Sequence, residues 1–152
     1  MRGMGNFSYK HSHFIALLLF SFRKFALKQD SSINIMPMKG TDEILFKRAE
    51  KAILQHELYL RDNMSRGVLD KYVHIPKNKF APIFRKYTGC SFPQYINGLR
   101  LERASKMLVD FPKHTIESIA TDCGMPVAQT FYRLFREKFG MTPTAYRNKY
   151  TG

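Results

Sequence analysis

Tryptophan is absent from this 152-residue chain, and acidic side chains are scarce: 12 Asp and Glu stand against 25 Lys and Arg. The formal charge of +13 and the pI near 9.9 select no fold, but they argue for an anionic partner: DNA, RNA or an acidic membrane surface. Without tryptophan, the core has to be built on Phe, Leu and Ile. Cysteine is nearly missing too. Cys90 and Cys123 belong to no CxxC or other spaced pair, which argues against a disulfide framework or a zinc site. Both read as small core or surface residues, and a reducing cytoplasm fits. No apolar run approaches the ~20 residues needed to span a bilayer. No stretch of strand length alternates apolar and polar residues, so the chain reads as all-α. Phosphate loops, nucleophile elbows and paired-carboxylate motifs are lacking. His11 and His13 form an H-x-H spacing without further ligands, and His56, His74 and His114 have no convincing partners. No enzyme, metal or cofactor is expected.

Residues 1–40 differ from the rest. They are basic and carry one greasy run, Phe14 to Phe22, followed by Arg23, Lys24 and Lys28 where a cleavage site would need small residues. Three readings stay open: an extra helix on the domain, a disordered or non-native extension, and a membrane-surface helix. A linker over Ser31 to Gly40 follows.

From Thr41 the pattern is helix after helix. Thr41 can cap a first helix reaching about Arg61, with Asp42 and Glu43 at its positive end. Ser65 can cap a short second helix with Val68, Leu69, Tyr72 and Val73 inward. A third helix runs through Tyr87 and closes at Gly89. Ser91 and Gln94 make a capping-box pattern before the longest helix, which ends near Asp110. Thr115 caps a short helix, Gly124 supplies a tight turn, and a helix from about Ala128 stops at Gly140. Thr142 and Pro143 start the last one.

One pattern occurs twice, 51 positions apart: Phe80, Phe84, Arg85, Gly89, Ser91, Tyr95, then Phe131, Phe135, Arg136, Gly140, Thr142, Tyr146. A repeat at a fixed offset implies two copies of one unit. Short helix, tight turn and second helix is the helix-turn-helix plan, in which the second helix lies in the DNA major groove. In the second copy, Ile116, Ile119 and Ala120 face Phe131, Leu134 and Phe135, and Gln129, Thr130 and Arg133 fall on the opposite face. Gln can pair bidentately with adenine and Arg with guanine.

These residues carry a resemblance. From about Ser65 to Lys149 the chain resembles the DNA-binding domain of AraC/XylS-type bacterial transcription regulators. The resemblance is strongest in FRKYTGCSFPQYINGLRLERASKML and FYRLFREKFGMTPTAYR, residues 84–108 and 131–147. It implies about seven helices: two helix-turn-helix subdomains, about 65–88 and 115–139, joined by a linker helix over about 91–110 and followed by a helix over about 142–150. The DNA-binding domain would cover 41–152 and the basic extension 1–40. Base reading is expected from Gln129 and Arg133, with Thr130 on base or phosphate and Asn78 on adenine in the first unit. Lys77, Lys79, Arg85, Lys86, Arg136, Lys138 and Arg147 are expected on phosphates.

Two departures bear on the first unit. Pro82 stands where the second unit has Arg133, a conflict that eases if Asn78 caps a helix starting at Lys79. His74 stands where the family has a turn glycine, which predicts a looser or strained turn. The implied partner is double-stranded DNA, with RNA polymerase a further candidate. No small-molecule effector domain is apparent, so a stand-alone DNA-binding protein or a fragment of a longer regulator is expected. A competing reading is a basic helical module that docks on RNA polymerase and binds DNA only non-specifically. Membrane association is not expected.

Overall fold

The computed structural model describes residues 41–151. The Phe14–Phe22 run and the His11/His13 pair lie outside them. The described residues form seven α-helices, one short 3₁₀ turn and no strand. We number them α1 (Thr41–Gln55), α2 (Arg66–Asp70), α3 (Lys77–Thr88), α4 (Phe92–Asp110), α5 (Ile116–Asp122), α6 (Ala128–Phe139) and α7 (Pro143–Thr151).

Helix α1 buries one face, Phe46, Ala49, Ala52 and Ile53. It stops at Gln55, short of Arg61, and the described residues open on Thr41 already within it. The reason is Glu57, which takes a left-handed backbone (φ 47°, ψ 35°) and turns the chain into the 3₁₀ segment Leu58–Leu60. A non-glycine residue there costs about 1–2 kcal/mol. Burial of Leu58 and Tyr59, each worth about 1.5–3 kcal/mol for a full side chain, offsets it. Tyr72, expected inside, lies at the rim with 39% exposure. Its ring leans on His56 at 4.8 Å and its hydroxyl accepts from Arg61 at 3.4 Å.

Helix α3 begins two residues earlier than the capping argument required. Pro76 is the N-cap, Asn78 lies inside the helix, and Pro82 is interior. The Pro76 carbonyl accepts from the N–H of both Lys79 (2.9 Å) and Phe80 (3.1 Å), so backbone rather than the Asn78 side chain closes the start. Pro82 cannot donate to the Asn78 carbonyl, but both residues are exposed and water can serve instead. The turn at His74 is not strained: Glu57 is the only non-glycine residue at positive φ among those described. The His74 imidazole instead meets Asp70 at 3.0 Å.

The 19-residue helix α4 serves both units. Gln94 Oε1 accepts from the Ser91 N–H at 2.9 Å, as the capping box predicts. Its residues Phe92, Tyr95, Ile96 and Leu99 complete the first core, with Phe84, Ile53 and Leu58. Leu101, Ala104 and Leu108 complete the second, with Ile116, Ile119, Ala120, Phe131 and Phe135. The repeat is visible in the packing: Phe84 meets Tyr95 at 5.8 Å, and its counterpart Phe135 meets Tyr146 at 5.4 Å.

Tyr95 donates to Glu50 at 3.4 Å, and burial raises the carboxyl above its usual range more than this bond lowers it. A carboxylate whose folded pKa is raised favours folding below its unfolded pKa, and that advantage is lost as pH rises through the folded value. Glu50→Gln should therefore stabilise the protein at neutral pH. In urea titrations the advantage should shrink as pH falls toward 4.5; a gain independent of pH would disprove the burial argument.

Candidate nucleic-acid interface

The two candidate recognition helices, α3 and α6, are 12 residues long and offset by 51 positions. Each ends on a left-handed glycine, Gly89 (φ 73°) and Gly140 (φ 72°). The inward residues of α6, Phe131 and Phe135, are fully buried, which fixes the opposite face outward. Gln129, Thr130, Arg133 and Arg136 are all exposed there. Arg133 makes an i,i+4 pair with Glu137 at 2.8 Å, with side-chain exposures of 62% and 57%. Such an exposed pair is worth only about 0–1 kcal/mol, so a base edge can displace it.

On α3, Lys77, Asn78, Arg85 and Lys86 are exposed, together with Ala81 and Pro82. Lys79 pairs with Asp42 of α1 at 2.9 Å and is half-exposed. Neither α3 nor α6 carries a side-chain cap. By contrast Thr115 caps α5 by accepting from the Ser118 N–H at 3.0 Å.

Besides Lys79, two of the expected phosphate contacts are occupied within the protein. Lys138 pairs with Glu102 of α4 at 2.9 Å, and both side chains are largely covered. Arg147 donates to the carbonyls of Leu108 (3.2 Å) and His114 (2.8 Å), bracing the end of α4. The Cys123 thiol is buried, which pushes its pKa up to about 12, and burial raises that of Cys90 as well. Neither environment favours the reactive thiolate. No cluster of three or more metal-ligating side chains occurs among the described residues.

Sequence reasoning missed Arg100. It is the only charged side chain buried among the described residues, and burial lowers its pKa from the usual arginine range. Its place in the Leu-Arg-Leu-Glu-Arg-Ala run gave no sign of burial, because it interrupts an apolar stripe with a charge.

Paired helix-turn-helix units on a shared helix, each turning a polar and basic face outward, define a two-headed DNA-binding domain. A helix-turn-helix domain family matches residues 69–149, more than half of the chain. The chain belongs to this family, as an AraC/XylS-type member of the bacterial transcription regulators. The regulatory protein PocR of Salmonella typhimurium is 28% identical over 102 residues, covering 67% of this chain and 33% of its own length. The transcriptional activator RhaR of Pectobacterium carotovorum subsp. carotovorum is 34% identical over 77 residues, covering 51% of this chain and 27% of its own. A solved Listeria innocua protein of unknown function superposes with a TM-score of 0.60 at 26% identity, covering 76% of this chain and 99% of that one. The chain spans about a third of the length of the first curated relatives it matches.

Proposed function

We propose that this chain is a sequence-specific transcription regulator that binds double-stranded DNA and reads adjacent major-groove segments with α3 and α6. The observation that carries this reading is the duplicated recognition helix: two helices of equal length, each packed by an equivalent Phe–Tyr contact against the helix that follows it, with polar and basic faces exposed. Gln129 reads adenine, Arg133 reads guanine, and Thr130 reaches base or phosphate. In the first unit, Asn78 is not consumed by capping, so its exposed amide is available to adenine. Ala81 and Pro82 offer only apolar contact. Lys77, Lys79, Arg85, Lys86 and Arg136 neutralise phosphates. Lys138 and Arg147 act first as internal braces, given their partners. The protein performs no catalysis in this reading and acts in the cytoplasm, on chromosomal DNA. The Pectobacterium relative is named an activator, and we assign the same sense here, with RNA polymerase as the partner it recruits.

Bind-and-sequence selection from random duplex DNA tests the reading. A motif of two short blocks about one helical turn apart is expected. Binding should weaken with log[salt] at a slope of roughly −4 to −5, about −0.9 for each of the phosphates those five cations neutralise. Steep salt dependence with no motif would instead favour the module that docks on polymerase without selecting DNA.

A further inference from the structure

We propose that Arg100 is a positioning residue that sets the separation of the two reading helices, and with it the number of base pairs demanded between the two blocks. This rests on the two-headed DNA reading above. Arg100 sits at the joint of α4: the apolar residues up to Leu99 belong to one core and those from Leu101 to the other. Its Nε donates to the Tyr59 carbonyl at 2.7 Å, one terminal nitrogen to the Arg61 carbonyl at 2.6 Å, and the other to Asn97 Oδ1 at 3.3 Å. Among the described residues no carboxylate lies within ion-pair distance of it. A buried cation hydrogen-bonded only to neutral oxygens, with the Asp62 carboxylate beyond ion-pair distance, is a poor device for stability, since well-packed apolar residues serve as well or better. What the guanidinium supplies is a rigid fork of fixed geometry.

The second unit closes the same joint from the other side. Gly124, in the turn between α5 and α6, lies so near that a Cβ there would meet the Leu60 carbonyl oxygen at 2.5 Å and Arg100 Nε at 3.2 Å. The 3₁₀ turn of the first unit is thus clamped between the linker-helix guanidinium and the turn that leads into α6. With the clamp closed, α3 and α6 cannot swing about α4 relative to each other. Inserting one base pair between the blocks moves the second by about 3.4 Å and rotates it by about 35°, so a rigid protein loses the contacts of one head.

The test uses the full chain and a series of selected sites whose blocks are separated by the preferred spacing or by one base pair more or fewer. Wild type should lose at least about 10-fold in affinity at either altered spacing, the cost of one lost bidentate pair. Arg100→Lys keeps the charge but cannot fork two carbonyls, and it should discriminate among the three spacings by less than about 3-fold while still requiring both blocks. A variant that only loses stability would weaken on all three sites in proportion. If Arg100→Lys does not fold, Asn97→Ala removes the weakest of the three contacts and should still narrow the spread. A folded variant that keeps the wild-type spread overturns the proposal and leaves the DNA reading intact. A wild type that selects no two-block motif overturns both.

Discussion

Arg133→Ala is expected to weaken binding to a selected site by about 1–3 kcal/mol, roughly 5- to 150-fold, and to relax the preference at one position of one block. The argument begins with α6. Phe131 and Phe135 are wholly buried, so their helix can present only one face to a groove, and Arg133 lies on it with more than half its side chain exposed. In the free protein its guanidinium rests on Glu137. That exposed pair offers about 0–1 kcal/mol, less than a bidentate contact to guanine. The companion variant follows from the same comparison. Glu137→Ala removes the competing partner and a negative charge near the phosphates, and should tighten binding by up to about 5-fold. The pair of effects is diagnostic. Weakening by Arg133→Ala that is equal on every DNA sequence would make the side chain a phosphate contact; no change on the selected site would remove it from the interface.

The spacing of aromatics and glycines made much of this architecture legible. Phe80, Phe84 and Tyr95 repeat as Phe131, Phe135 and Tyr146, and the structure packs the two sets alike. Ser91, Thr115 and Gly140 ended or began helices where their backbone chemistry requires. What the sequence concealed was set by tertiary contact. The left-handed Glu57 carries no local signature, because the turn is held by burial of Leu58 and Tyr59 rather than by its own preference. Asn78 as a cap would have eased the conflict at Pro82, but Pro76 is the N-cap and its carbonyl accepts the first bonds of the helix. Among the candidate phosphate contacts, sequence could not separate solvent-facing cations such as Lys77, Arg85 and Arg136 from Lys138 and Arg147, whose partners Glu102, Leu108 and His114 lie more than thirty residues away. Arg100 was hidden for the same reason: its ligands are carbonyls of a turn some forty residues earlier.

Two glycines with nearly the same backbone should respond very differently to alanine. Gly124 and Gly140 have φ of +75° and +72°, so alanine at either incurs the left-handed penalty of about 1–2 kcal/mol. At Gly140 a Cβ meets nothing within 4 Å, and the penalty should be the whole effect. At Gly124 the added carbon would lie 2.5 Å from the Leu60 carbonyl oxygen and 2.9 Å from its carbon. Those are backbone atoms, and they cannot rotate away as a side chain could. Leu60 is further restrained because Arg100 holds the carbonyls on either side of it, at Tyr59 and Arg61. Relief requires opening the contact between the two units or shifting the turn that aims α6. Gly124→Ala should therefore cost about 3 kcal/mol or more, against about 1–2 for Gly140→Ala. At about 4–8 °C per kcal/mol for a domain of this size, that lowers Tm by at least about 12 °C, and the difference between the two variants isolates the collision from the strain. Equal melting temperatures for the two would mean that the turn moves freely away from Leu60. The close approach of the two units would then contribute nothing to holding α6 in register with α3.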